Sequence, residues 1–184
     1  MTYLMQRISV VGISGTGKTT VGKAIAETLG IPFVELDGIH HQPGWTELSA
    51  EDFRARVRPI VDEEAWVIDG NYSSKGVQDL VWPRADTVVW LDLSRSQAMR
   101  RVIRRTIRRA ATRQELWNGN VEPLNNFFDP RPEKNIITWT WTRHPTTREK
   151  YQAKIDDPVW SHLDIIRLRT PAEVKTFLEN LRSR

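Results

Sequence analysis

The stretch Gly12-Ile13-Ser14-Gly15-Thr16-Gly17-Lys18-Thr19-Thr20 decides the fold. From Gly12 to Thr19 it matches G-x-x-x-x-G-K-[ST] without a deviation. Its context matters as much as the match. Before it, Arg7–Val11 (RISVV) reads as a short buried strand. After it, Val21, Ala24, Ile25 and Leu29 recur at helical spacing from Lys18 to Leu29, and Gly30 is placed to end that helix. A strand, a glycine-rich turn and a helix in this order make a phosphate-binding loop. Glycines let consecutive main-chain N–H groups face the phosphates where a side chain would block them, and the helix N-terminus adds partial positive charge. On this reading Gly12, Ser14, Gly15, Thr16, Gly17, Lys18, Thr19 and Thr20 bind ATP. Lys18 bridges the β- and γ-phosphates, and the Thr19 hydroxyl ligates Mg²⁺.

Working outward, short apolar runs alternate with helical patterns. Phe33–Leu36, Trp66–Gly70, Thr87–Leu93 and His162–Leu168 read as further strands. Ser49 with Asp52, and Ser94 with Gln97, read as capping boxes opening helices. Thr170, Pro171 and Glu173 supply the N-cap, N1 and N3 of a last helix. Ile136–Trp141 and Thr146–Ile155 look helical, with a break at Pro145. The expected fold is a P-loop α/β architecture of three layers (α/β/α), with a five-stranded parallel sheet and a helical lid. One domain over residues 1–184 is expected, with the lid or flap at about 114–145.

The chain of 184 residues carries no cysteine, which excludes disulfides and thiolate metal sites. No apolar run reaches a membrane span and the first residues do not form a signal peptide, so a cytoplasmic protein is expected. The net charge is +4, but eight arginines crowd residues 95–113, where no acid interrupts them; without them 19 basic residues face 23 acidic ones. Such local basicity fits a site for concentrated negative charge better than a broad nucleic-acid surface. Arg101, Arg105, Arg109 and Arg113 follow at i+4 along one helix face, and Arg100, Arg104 and Arg108 form an adjacent row. The apolar stripe of this helix reads as Met99, Val102, Ile103, Thr106, Ile107 and Ala110. Three roles are open for the arginines: a clamp on the transferring phosphoryl group, a solvated face paired with acids, or a stripe for DNA phosphates. For the clamp, Arg105, Arg109 and Arg113 are the candidates, because the helix runs away from the sheet toward the flap.

Two carboxylates stand where strands end. Asp37 can orient an acceptor or take its proton. Asp69 is the candidate for holding Mg²⁺ together with Thr19, with Asp92 as a rival of more structural character. A metal site of Asp37, His40 and His41 does not follow a known ligand spacing, and Trp45 is open to stacking or packing.

The chain resembles the small P-loop kinases of the adenylate kinase, shikimate kinase and gluconate kinase group. GISGTGKTTVGKAIAETLGIPFVELD (12–37), WVIDGNY (66–72) and the arginine helix followed by a polar flap carry that resemblance. ELDGIHHQPGW, VIDGNY, WPRADTVVWLDL, RRTIRRAATRQELWNGN and RLRTPAEV are further similar to a family labelled adenylate-kinase-related or DNA topology modulation protein, over residues 5–181. The resemblance implies an Mg·ATP-dependent phosphotransferase. Its acceptor is either a nucleoside monophosphate, which needs arginines, or an alcohol, which benefits from a carboxylate, and the sequence offers both. The other function class is an ATP-binding regulatory or DNA-topology-associated protein with little or no kinase activity.

Overall fold

The computed structural model describes residues 5–122, 131 and 135–183. Strands β1 (Arg7–Val11), β2 (Phe33–Glu35), β5 (Trp66–Asp69), β6 (Thr87–Leu91) and β7 (Asp164–Leu168) form one sheet in the order β2-β5-β1-β6-β7, with every pairing parallel. The helices are α1 (Lys18–Leu29), α2 (Leu36–His40), α3 (Ala50–Val61), α4 (Gln78–Val81), α5 (Arg95–Thr112), α6 (Ile136–Ile155) and α7 (Pro171–Arg182). A small antiparallel ribbon, β3 (His41–Gln42) with β4 (Thr46–Glu47), was not anticipated from sequence.

The strands read as continuous apolar runs because both faces of the sheet are covered. Alternate residues divide between two cores. Ile8, Val10, Val67, Val89 and Leu91 join Val21 and Ile25 of α1 and Leu181 of α7. Val11, Trp66, Ile68, Val88 and Trp90 join Phe53 and Val57 of α3, Val81 of α4 and Tyr151 of α6. Trp66, Trp82 and Trp90 are fully buried packing residues on this second side. Truncating one of them to alanine would cost about 3–5 kcal/mol.

The register sets the site. Asp69 is paired with Val10 on one side and with Glu35 on the other. The turn leaving β1, the acid ending β5 and the acid ending β2 therefore stand side by side at the carboxyl edge of the sheet, where ligands bind in open α/β folds.

The local caps form as expected at three helices. Gly30 closes α1 in the left-handed region, Ser94 and Gln97 make a reciprocal capping box on α5, and Thr170 accepts from Glu173 N–H. At α3 only half of the box exists: Ser49 accepts from Asp52 N–H, but the Asp52 carboxylate returns to the Ser49 hydroxyl, not to its main chain. An aspartate is one methylene short of the usual reach.

Three expectations are corrected. β2 ends at Glu35, so Asp37 lies in the short helix α2. Helix α6 runs unbroken through Pro145, held on both sides of it by buried Thr140, His144 and Tyr151; the His144 ring nitrogen lies 3.0 Å from Leu93 O. Tertiary anchoring outweighs the lost hydrogen bond at proline. The expected lid segment, about 114–145, takes in the first half of this helix, residues 136–145. On α5 the inward line is Ala98, Val102 and Thr106, while Ile103 and Ile107 are 38% and 57% exposed. The stripe is rotated because Gly15 of the phosphate loop seats against Ala98 and Val102, bringing the neighbouring arginine row to the site.

The middle of the expected flap, with Pro123, Pro130 and Pro132, lies outside the described residues. Among the described residues no helix is long and apolar enough to cross a membrane.

Candidate active site

The phosphate loop sits between β1 and α1. Gly12, Gly15 and Gly17 have φ of 147°, 83° and 96°, a region other residues enter only with strain. Space is also short: a Cβ on Gly12 would lie 2.7 Å from Leu91 O, and one on Gly15 would run into Ala98 O. Thr16 is buried and spends its hydroxyl on Ile13 O, 2.8 Å away, so it fastens the loop from within. The Lys18 ammonium folds back toward the same carbonyl at 3.5 Å. Ser14 is half-buried in the loop, and Thr20 is exposed in the first turn of α1.

Thr19 Oγ1 lies 2.6 Å from Asp69 Oδ2 and 3.1 Å from Glu35 Oε1. Its one proton serves one carboxylate at a time, so negative charge is left over. Asp69 is 3% exposed, and its other oxygen, Oδ1, is buried without a partner among the described residues. Burial pushes the Asp69 carboxyl up to about 6, opposed by the nearby Lys18 charge and the Thr19 hydrogen bond. An orphaned carboxylate oxygen beside a threonine hydroxyl suits a hard divalent cation. Among the described residues no three His, Cys, Asp or Glu side chains are grouped to hold an ion. Mg²⁺ here would therefore take Thr19 and Asp69 plus phosphate oxygens and water, its usual preference. Asp92 is engaged elsewhere: Arg167 donates to its Oδ2 at 2.6 and 3.0 Å, and Arg148 pairs with its Oδ1 at 3.1 Å.

Asp37 forms the second half of the site. The Tyr72 hydroxyl donates to its Oδ1 at 2.6 Å, and His41 Nε2 stands 3.4 Å from the same hydroxyl. Burial, then the Asp37 charge, raise the Tyr72 phenol far above its usual range, so it remains a donor. His40 turns away to Glu47 at 3.3 Å, and burial holds its pKa below the ordinary value against the pull of Glu47. The Asp37, His40 and His41 metal set is thus not assembled.

The segment after α5 closes over this half. The Asn118 amide donates to Gly38 O (3.0 Å) and His41 O (2.6 Å). Asn120, 3% exposed, donates to Gln42 O and accepts from Trp45 N–H. The Trp45 indole donates to Val121 O at 2.9 Å. Trp45 and Asn118 both hold φ of 57°, strain that such a network can maintain. Trp117 lies against Gly38, where an added Cβ would meet its ring at 3.0 Å, and His41 and Trp45 pack on the same indole. Trp45 therefore packs.

The arginines divide by row. Arg101 donates to Thr16 O at 2.9 Å. Arg105 has a buried Nε with no partner among the described residues. Arg109 is half-buried 6.0 Å over the Trp117 ring; burial and then Arg105 lower its pKa, against the pull of Glu122, Glu35 and Asp37. Arg113 is exposed at the C-cap of α5, with φ of 46°, away from this cluster. Arg101 is the member of the row that touches the loop. Arg100, Arg104 and Arg108, the adjacent row, are exposed. Arg143 and Arg169 are exposed as well.

Glu35, Asn71, Tyr72, Asn118 and Asn120 escaped the sequence reading. VIDGNY was singled out, but the partners of its last two residues lie 35–80 positions away.

Comparison with known proteins agrees with this fold. A model of the ATPase family associated with various cellular activities matches residues 8–69, from β1 to Asp69. A shikimate kinase of Sulfurihydrogenibium sp. is 32% identical over 146 residues, covering 72% of this chain and 82% of that enzyme. A shikimate kinase of Thermodesulfovibrio yellowstonii is 42% identical over a shorter stretch of 62 residues, 36% of its length. Among solved structures, the shikimate kinase from Acinetobacter baumannii in complex with shikimate superposes with a TM-score of 0.57 at 17% identity, covering 96% of this chain and 90% of that one. The Aquifex aeolicus shikimate kinase gives 0.51 at 17% identity, covering 96% of each chain. The structural likenesses carry the fold.

Proposed function

The chain belongs to the P-loop kinases of the adenylate kinase and shikimate kinase group, and from that premise we propose that it transfers the γ-phosphoryl group of Mg·ATP to a hydroxyl of a small molecule. The observation that carries the choice of a hydroxyl is Asp37. One of its oxygens is held by Tyr72, which leaves the other to accept a proton, and Glu35 and Asp69 stand close by. A phosphate oxygen brought to this acidic side would meet like charge, whereas a hydroxyl donates to it.

In this mechanism the glycine loop and Lys18 hold the triphosphate. Thr19 and Asp69 would hold Mg²⁺, which when bound would neutralise phosphate charge and orient the triphosphate. Asp37 draws the proton from the acceptor hydroxyl as its oxygen bonds to phosphorus and the bond to the ADP oxygen breaks. Arg105 and Arg109 offer guanidinium charge to the phosphoryl oxygens as they move. Arg113, exposed as it stands, would need the end of α5 to move to join them.

ADP formation with Mg·ATP is to be measured against polyols and hydroxy acids (shikimate among them), nucleosides and nucleoside monophosphates. A hydroxyl-bearing compound should raise turnover well above the basal rate, and Asp37→Asn should abolish the gain. Failure of every compound, or a clear preference for monophosphates, would overturn the proposal.

A second reading, an ATP-binding protein that associates with DNA, rests on the exposed row Arg100, Arg104 and Arg108. It requires salt-sensitive DNA binding that Arg104→Glu weakens.

A further inference from the structure

The parallel ladder between β1 and β5 ends at the pair Val10 and Asp69, with Gly70 N–H reaching Val10 O at 3.4 Å. Beyond that point the two chains part: one turns into the phosphate loop, the other runs toward Asp37. Yet the ladder continues through a side chain. Asn71 Oδ1 accepts from Gly12 N–H at 3.2 Å, and Asn71 Nδ2 donates to Gly12 O at 2.6 Å. A carboxamide has the donor and acceptor of a peptide group, so Asn71 pairs with both faces of the loop's first glycine as a neighbouring strand would. The double contact also fixes which end of the amide is oxygen. Tyr151 of α6, buried in the core between Trp82 and Trp90, donates its hydroxyl to the same Oδ1 at 2.9 Å and so locks the amide plane.

We infer that Asn71 is a positioning residue for phosphate binding: its carboxamide, oriented by Tyr151, fixes the peptide planes around Gly12 and so presets the phosphate loop. Gly12 has φ of 147° and no room for a side chain, so nothing of its own holds it in that conformation. A loop left to sample other conformations must be ordered by the ligand, which weakens binding without removing any contact to it. Tyr72, next in the chain, grips Asp37, so one dipeptide ties the donor loop and the acceptor carboxylate to the end of β5.

The inference rests on the reading of the loop as a phosphate site, and the experiment separates the two. Dissociation constants for Mg·AMP-PNP and for Mg·tripolyphosphate are to be measured by calorimetry, with Tm of the free protein recorded beside them. Wild type should bind both. Asn71→Ala should weaken both by a similar factor, roughly tenfold or more, and Tyr151→Phe by a smaller factor of roughly threefold. Asn71→Asp should bind less well than Asn71→Ala, because it sets a carboxylate oxygen against Gly12 O. A purely structural role predicts a lower Tm with unchanged affinities. That result, or a full effect of Tyr151→Phe on Tm with none on affinity, overturns the inference, and it can be read from Tyr151→Phe even if the Asn71 variants do not fold. A wild type that binds neither probe overturns the phosphate-site reading and this inference with it.

Discussion

The two halves of the site are built by different means. The donor half is a local device: nine consecutive residues, Gly12–Thr20, supply its glycines, its lysine and its threonine. Its conformation draws on backbone chemistry, positive φ and the lack of room for a Cβ, with the Asn71 amide as a side-chain grip from a distant segment. The acceptor half has no such segment. Asp37 is oriented by Tyr72, and Gly38, His41, Gln42 and Trp45 are held by Asn118 and Asn120, 75–80 residues further on. One half is specified largely by its own sequence, with Asn71 gripping Gly12 from outside it, and the other by contacts made across the fold. A donor site of this kind can stay constant while the acceptor side changes through a few hydrogen-bonding residues.

That contrast can be broken at either half. The largest effect should come from Lys18→Met, which removes the one mobile cation of the loop; kcat/KM should fall by about three orders of magnitude, measured as ADP release. Asp37→Asn should lower kcat by roughly 100-fold or more while the dissociation constant for Mg·AMP-PNP stays within about twofold. If nucleotide affinity fell equally, the two halves would not be separable. Asn120→Ala leaves the Trp45 N–H and Gln42 O unpaired beneath the segment; it should destabilise the protein by about 1–3 kcal/mol and raise KM for the acceptor more than for ATP.

The smallest effect concerns pH. The folded-state pKa of Asp69 is raised to about 6 from an ordinary 3.8. Between those values the folded protein binds more protons than the unfolded chain, so the metal-free protein loses stability as pH rises from about 4 to about 6. Asp69→Asn should flatten that part of the Tm-against-pH curve. A bound divalent cation, which favours the ionised carboxylate, should flatten it too, and Mg²⁺ affinity should weaken below about pH 6 in the wild type.

The same division governs what the sequence makes legible. The phosphate loop, the strands and the caps at Gly30, Ser94 and Thr170 rest on neighbours within a few positions, and local pattern finds them. Glu35 could not be told from any strand-end acid until the register set it opposite Asp69. Asn71, Tyr72, Asn118 and Asn120 are polar residues in connecting segments, and their partners exist only once distant segments meet. The arginine helix shows the middle case. Its periodicity gave the rows correctly but not their direction, because the residues that seat Gly15, Ala98 and Val102, are less apolar than Ile103 and Ile107, which face outward. Amphipathic pattern follows hydrophobicity, and here a close backbone approach decides which side of α5 turns in.

The most direct test of the two-part site is a crystal structure with Mg·AMP-PNP. The triphosphate should lie in the Gly12–Thr19 loop with Mg²⁺ against Thr19 and Asp69, and its terminal phosphoryl group should point toward the Asp37 oxygen that Tyr72 does not hold, flanked by Arg105 and Arg109. A triphosphate held elsewhere, or one whose terminal group points away from Asp37 with Arg105 and Arg109 turned from it, would contradict the account.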